Sequence, residues 1–163
     1  MAKHPSQPPS LGFRVSRRSH VALALAVVSF SILGGSSRIA DANDADLKII
    51  VHPSNAERAA DKSFLADAFL KKVTRWPSGE TIRPLDQRPD TAVRRSFSRN
   101  ILKRTVTAVR SYWQQRIFSG RDVPPPELDS DASVVAYVER TPGAVGYVSS
   151  GAKLGGTREL QVQ

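Results

Sequence analysis

The stretch Thr141 to Ser149, reading TPGAVGYVS, constrains the fold more than any other part of the chain. Thr141-Pro142-Gly143 is turn chemistry: proline cannot continue a helix, and glycine reaches backbone angles that other residues avoid. The apolar run Ala144 to Val148 that follows reads as a short buried strand. A strand without a polar face needs cover on both sides, which in a small domain means helices packed on a sheet.

The preceding chain supplies such helices. Leu47 to Val51 (LKIIV) reads as a first buried strand, broken by His52-Pro53-Ser54-Asn55. From Asp61, Phe64, Leu65, Ala68, Phe69 and Val73 recur at helical spacing, with Asp61 or Ser63 as cap. Trp76-Pro77-Ser78-Gly79 is a turn, and the proline in Thr81 to Leu85 marks an irregular or edge strand. Asp90 is placed to cap a helix with Val93, Phe97 and Ile101 on one stripe and Arg94, Arg95 and Arg99 on its other faces. Thr105 caps the next, with Val106, Val109, Trp113 and Ile117 inward and Ser119-Gly120 as its end. Val123 to Glu127 (VPPPE) is a stiff connector. Asp129 or Ser130 caps a last helix with Val134, Val135 and Val138 inward. The pattern predicts an α/β fold, a short sheet of mostly alternating strands and helices with helices flanking it. The glycine-rich segment 151–163 is expected to be a loose tail.

The first residues carry a different message. Lys3, Arg14, Arg17 and Arg18 precede an apolar run from Val21 to Leu33, and Ala40-Asp41-Ala42 has the form of a cleavage site. Residues 1–42 therefore read as an export signal, too short in its apolar part for the roughly 20 residues of a membrane span. The arginine pair leaves both the general and the twin-arginine route open. Five basic residues and one acidic residue leave with this segment, so the formal charge of +9 drops to +5. The expected mature protein is a single periplasmic or otherwise extracytoplasmic domain over residues 43–150 that does not span the membrane. It has no cysteine, so disulfides and thiolate metal sites are excluded, and His52 is its one imidazole.

With these residues in view, the chain resembles the phosphate-binding components of ATP-driven uptake systems, in particular short single-lobe members of the periplasmic-binding superfamily. The resemblance runs from Leu47 to Ser149. It rests on Phe69-Leu70 with Thr74-Arg75-Trp76, on Arg88-x-Asp90, and on Pro142-Gly143-Ala144-Val145-Gly146-Tyr147-Val148. It implies one lobe of a type 2 periplasmic binding protein, phosphate or a similar oxyanion as ligand, no cofactor, and an ABC permease or another envelope protein as partner.

In that family an R-S-D-G-S-G-T segment wraps the anion with arginine, hydroxyl and backbone N–H donors. Arg88 matches its arginine and Asp90 its aspartate, whereas Pro89, Thr91, Ala92, Val93 and Arg94 replace the rest, leaving Thr91 as the hydroxyl in the segment. Ser54 and Asn55 match the donors of the family's first strand-to-helix loop. The resemblance thus nominates Ser54, Asn55, Arg88, Asp90 and Thr91 as ligand-binding residues. The missing serine and glycines imply weakened or lost phosphate binding, each absent charge-assisted bond forfeiting about 1.5–3 kcal/mol. Arg94 and Arg95 either restore positive charge near the turn or form a solvated helix face.

Other function classes find little support. The chain after residue 42 contains no G-x-S-x-G elbow, phosphate loop or dinucleotide fingerprint, so no enzyme is expected. Asp129 and Asp131 suit a helix start, where carboxylates meet the positive end of the dipole. The arginines between Arg88 and Arg110 could track nucleic-acid phosphates, yet export removes that partner. Two readings remain: an oxyanion-binding receptor, and a single-lobe interaction module that keeps the fold without the anion.

Overall fold

The computed structural model describes residues 45–163, so the export segment expected over residues 1–42 lies outside the described residues. Four helices and seven strands follow in the order β1 (Leu47–Val51), β2 (Ala59–Ala60), α1 (Lys62–Phe69), β3 (Arg83–Pro84), β4 (Asp86–Gln87), α2 (Ala92–Asn100), α3 (Val106–Phe118), β5 (Glu127–Leu128), α4 (Asp131–Arg140), β6 (Ala144–Ser149) and β7 (Arg158–Val162). Five strands form one mixed sheet in the order β2-β7-β1-β6-β3. At its centre β1 runs antiparallel to β6, from Leu47 opposite Ser149 to Val51 opposite Val145, and antiparallel to β7 on its other side. β3 and β2 pair in parallel with β6 and β7. A separate parallel pair joins β4 to β5.

The alternation of strand side chains divides the core into two. Ile49 and Val51 of β1, Val145 and Tyr147 of β6 and Leu160 of β7 face a core filled by Leu65 and Phe69 of α1, Val93 and Phe97 of α2, and Val109 and Trp113 of α3. Ile50, Ala144 and Val148 face the other side, where Val134, Val135 and Val138 of α4 cover them. The α/β sheet flanked by helices is therefore as expected. α4 sits close because β6 carries Gly146, where an added Cβ would lie 2.6 Å from Val134 Cγ1.

Several local expectations change. α1 ends at Phe69, with Lys71 in a left-handed conformation (φ 52°), so Val73 lies beyond the helix. α2 is capped by Thr91, whose hydroxyl oxygen accepts the Arg94 N–H at 3.2 Å, rather than by Asp90. Pro84 does lie in an edge strand, β3, where its missing N–H costs no ladder bond. Residues 158–162 are not a loose tail. The glycines are confined to the turn at 151–156, and beyond it Leu160, buried to 1% exposure, returns to the core while the strand inserts between β1 and β2. Sheet residues therefore continue well past the boundary expected at 150.

The proline connector is moored by Asp122, which accepts from Lys71 Nζ at 3.1 Å and lies 3.8 Å from Arg116. Burial pushes the Asp122 carboxyl up, but the bonds from Lys71 and the Val123 N–H outweigh it and hold the group below its ordinary value near 3.8. A depressed native value means that the unfolded chain takes up the proton first as pH falls, so this stability is present above that ordinary value and lost below it. The pair is a quarter exposed on each side, so its contribution is about 1 kcal/mol or less. Urea titrations of wild type and Asp122→Asn should show that difference at pH 6 and see it fade as the pH drops below about 3.8.

Candidate functional site

The residues nominated from sequence fall into two groups. His52 N–H bonds to Ala144 O at 3.2 Å, so the loop with Ser54 and Asn55 leaves the sheet at the Ala144 end of β6. Ser54 Oγ is 2.7 Å from His52 Nδ1, and Asn55 Oδ1 accepts the Glu57 N–H at 2.8 Å, both turn-forming contacts. Asn55 is almost wholly buried, and its Nδ2 has no hydrogen-bond partner among the described residues. Arg158 reaches across from β7 to the Asn55 and Glu57 carbonyls and fixes the loop.

Arg88, Asp90 and Thr91 follow β4 instead. Gln87 Nε2 donates to Tyr147 O and to Asp131 Oδ1, both at 2.9 Å, and Asp131 Oδ1 in turn accepts the Ser149 N–H at 3.2 Å. This turn therefore lies toward the Ser149 end of β6, so the fold does not bring Ser54 and Asn55 together with Arg88, Asp90 and Thr91. Arg88 is exposed, 3.4 Å from Asp90 and 3.8 Å from Asp129. Thr91 Oγ1 caps α2 and donates to Arg88 O at 3.0 Å.

Arg94 is neither a solvated face nor an added ligand donor. It is 3% exposed, and its Nη1 donates to Asp86 Oδ1. The same carboxylate oxygen accepts from the Tyr147 hydroxyl and from the Gln87 N–H at 2.9 Å, and Tyr147 stacks on Phe97 with ring centres 3.9 Å apart. Burial pushes the Asp86 carboxyl up, with Arg94, the Tyr147 hydroxyl and the Gln87 N–H pulling it down. Burial, reinforced by the Asp86 charge, pushes the Tyr147 hydroxyl well above its ordinary value. One sequence signal pointed this way: a tyrosine inside an apolar strand needs a partner for its hydroxyl.

The surface beside this cluster carries a groove of about 460 Å³, bounded by Pro89, Asp90, Arg95, Arg99, Thr105, Val106, Thr107 and Arg110. Thr105 caps α3, accepting the Ala108 N–H at 3.1 Å, and with Val106 and Thr107 of that 13-residue helix's first turn it lines the groove alongside Arg95, Arg99 and Arg110. Arg95 is steadied by a 2.7 Å bond to Asp90 O. Cations, hydroxyls and a helix N-terminus in one concavity are anion-binding chemistry. Of the residues nominated from sequence, Asp90 borders this groove.

This mixed sheet, covered by helices on both faces, has the fold of one lobe of a periplasmic binding protein. Solved structures that share it include proteins of phosphate transport. An ABC-type phosphate transport receptor from Vibrio cholerae superposes with a TM-score of 0.56 over 72% of this chain and 46% of its own, at 17% identity. PstS from Borrelia burgdorferi gives 0.56 over 73% and 47%, at 14% identity. The chain thus spans under half the length of these proteins, and at such identities the likeness is one of fold. No protein-family model and no curated protein sequence matches it.

Proposed function

We propose that the chain is an exported binding protein, its described residues folded as one lobe, that takes phosphate or a similar oxyanion non-covalently, outside the cytoplasm, without catalysing a reaction. The observation that carries this reading is the groove in which Arg95, Arg99 and Arg110 meet the N-terminus of α3. The receptor fold and the export-signal pattern of residues 1–42 support it. In this reading Asp90 and Thr91 shape the edge of the site, Arg88 lends charge from beside it, and Ser54 and Asn55 hold a loop at the other end of β6. An open groove in one lobe cannot close around its ligand, so binding is weak unless an ABC permease or another envelope protein completes the site.

Calorimetric titration of the full chain with phosphate and sulfate tests the proposal. Saturable heat is expected, and Arg110→Ala should weaken it on the order of tenfold or more, as loss of one charge-assisted bond requires. Absence of heat up to millimolar phosphate, in folded protein, overturns it.

A second reading, an interaction module, draws on one observation. Ile117, Phe118 and Val123 are exposed large apolar residues around the end of α3, and Phe118 is 90% exposed. Such a cluster suits contact with another protein, and loss of phosphate binding in the titration would favour it.

A further inference from the structure

We infer that Asp86 is a built-in anion: its carboxylate fills a cradle made by the Arg94 guanidinium, the Tyr147 hydroxyl and the Gln87 N–H, and a chain lacking that carboxylate takes a small carboxylate or oxyanion from solution in its place. The donor set is that of an oxyanion receptor, one guanidinium, one hydroxyl and one backbone N–H converging on a single oxygen. Each member also has a contact that does not involve Asp86. The Arg94 backbone N–H donates to the Thr91 cap and its Nη1 donates to the Tyr147 hydroxyl oxygen at 3.4 Å, Tyr147 is stacked on Phe97, and Gln87 is pinned by its side-chain bonds to Tyr147 O and Asp131. Removing the carboxylate therefore leaves the donors in place around an anion-shaped vacancy.

Two further observations favour exchange with solution. A cavity of about 160 Å³ borders both Asp86 and Arg94 and has Arg110, Gln114 and Glu127 on its wall, which gives a small ion a route. Arg94 Nε is buried with no hydrogen-bond partner among the described residues, a spare donor for an ion that brings more oxygens than one aspartate can turn toward it. The native chain thus fills its own buried cradle with Asp86, and its phosphate chemistry is left to the groove outside.

Asp86→Ala deletes a group the size of formate, so sodium formate is the first probe and sodium phosphate the second, each against sodium chloride at equal ionic strength. In the full chain carrying Asp86→Ala, formate is expected to raise the thermal midpoint on the order of 4 °C over chloride once well above its dissociation constant. Wild type should show no such gain. The double variant Asp86→Ala with Arg94→Leu keeps the groove but loses the cradle, and its formate response should vanish. Should Asp86→Ala unfold without added anion, refolding yield against formate concentration gives the same reading. No formate-specific gain in either format, or a gain that survives in the double variant, overturns the inference. Because wild type is the reference for the groove and Asp86→Ala for the cradle, the two proposals fail separately.

Discussion

Arg94→Ala is expected to lose about 3–5 kcal/mol of stability, measured by urea unfolding, because it leaves the Asp86 carboxylate buried without its charge partner. Asp86 is 5% exposed and Arg94 3%, so loss of the cation leaves a carboxylate that is largely desolvated. Domains of this size are held by roughly 5–15 kcal/mol, and the loss is a large part of that. The effect should not be additive. Replacing Asp86 and Arg94 together by leucine removes both charges from the low-dielectric core and is expected to cost less than Arg94→Ala alone. A double variant as unstable as the sum of the single ones would mean that the two residues act separately, contrary to their direct bond.

Phe97→Ala is expected to cost a similar amount, about 3–5 kcal/mol, from lost apolar burial and the cavity left behind. Phe97 is fully buried, stacked on Tyr147 at 3.9 Å and tilted against Phe69 at 4.6 Å, so it joins α2, β6 and α1 at one point. The same change should loosen Tyr147. The near-ultraviolet circular dichroism of that tyrosine is therefore expected to weaken even under conditions where the variant stays folded. Phe97→Leu, which keeps most of the volume, should cost less than about 1.5 kcal/mol.

The sheet and its helices were legible in the sequence because they are written in apolar spacing. LKIIV, the stripe Val93-Phe97-Ile101, and the inward valines of the last helix each bury where their periodicity places them. The site was much less legible. Arg94 stands beside Arg95 and reads as surface charge, and its burial depends on Asp86, eight residues earlier, and on Tyr147 in another strand. Neither local spacing nor charge encodes a contact that only the folded sheet creates. The tail was misjudged for a related reason. Three glycines near its start outweighed the single Leu160 that ties it to the core, and the value of that leucine depends on Ile49, its partner across the sheet. The groove arginines lay in plain view as a cluster, but which of them share one concavity depends on how α2 and α3 pack together in the fold.

The central strand β1 has as its two neighbours β6 and β7, roughly a hundred residues further along the chain. Everything between them can emerge from a ribosome while the middle of the sheet still lacks both of its flanks. Closing loops of that length carries an entropic cost that the sheet's centre recovers only once its last strands are in place. A chain built this way keeps its central strand unpaired and extended until both of its last two strands have been made.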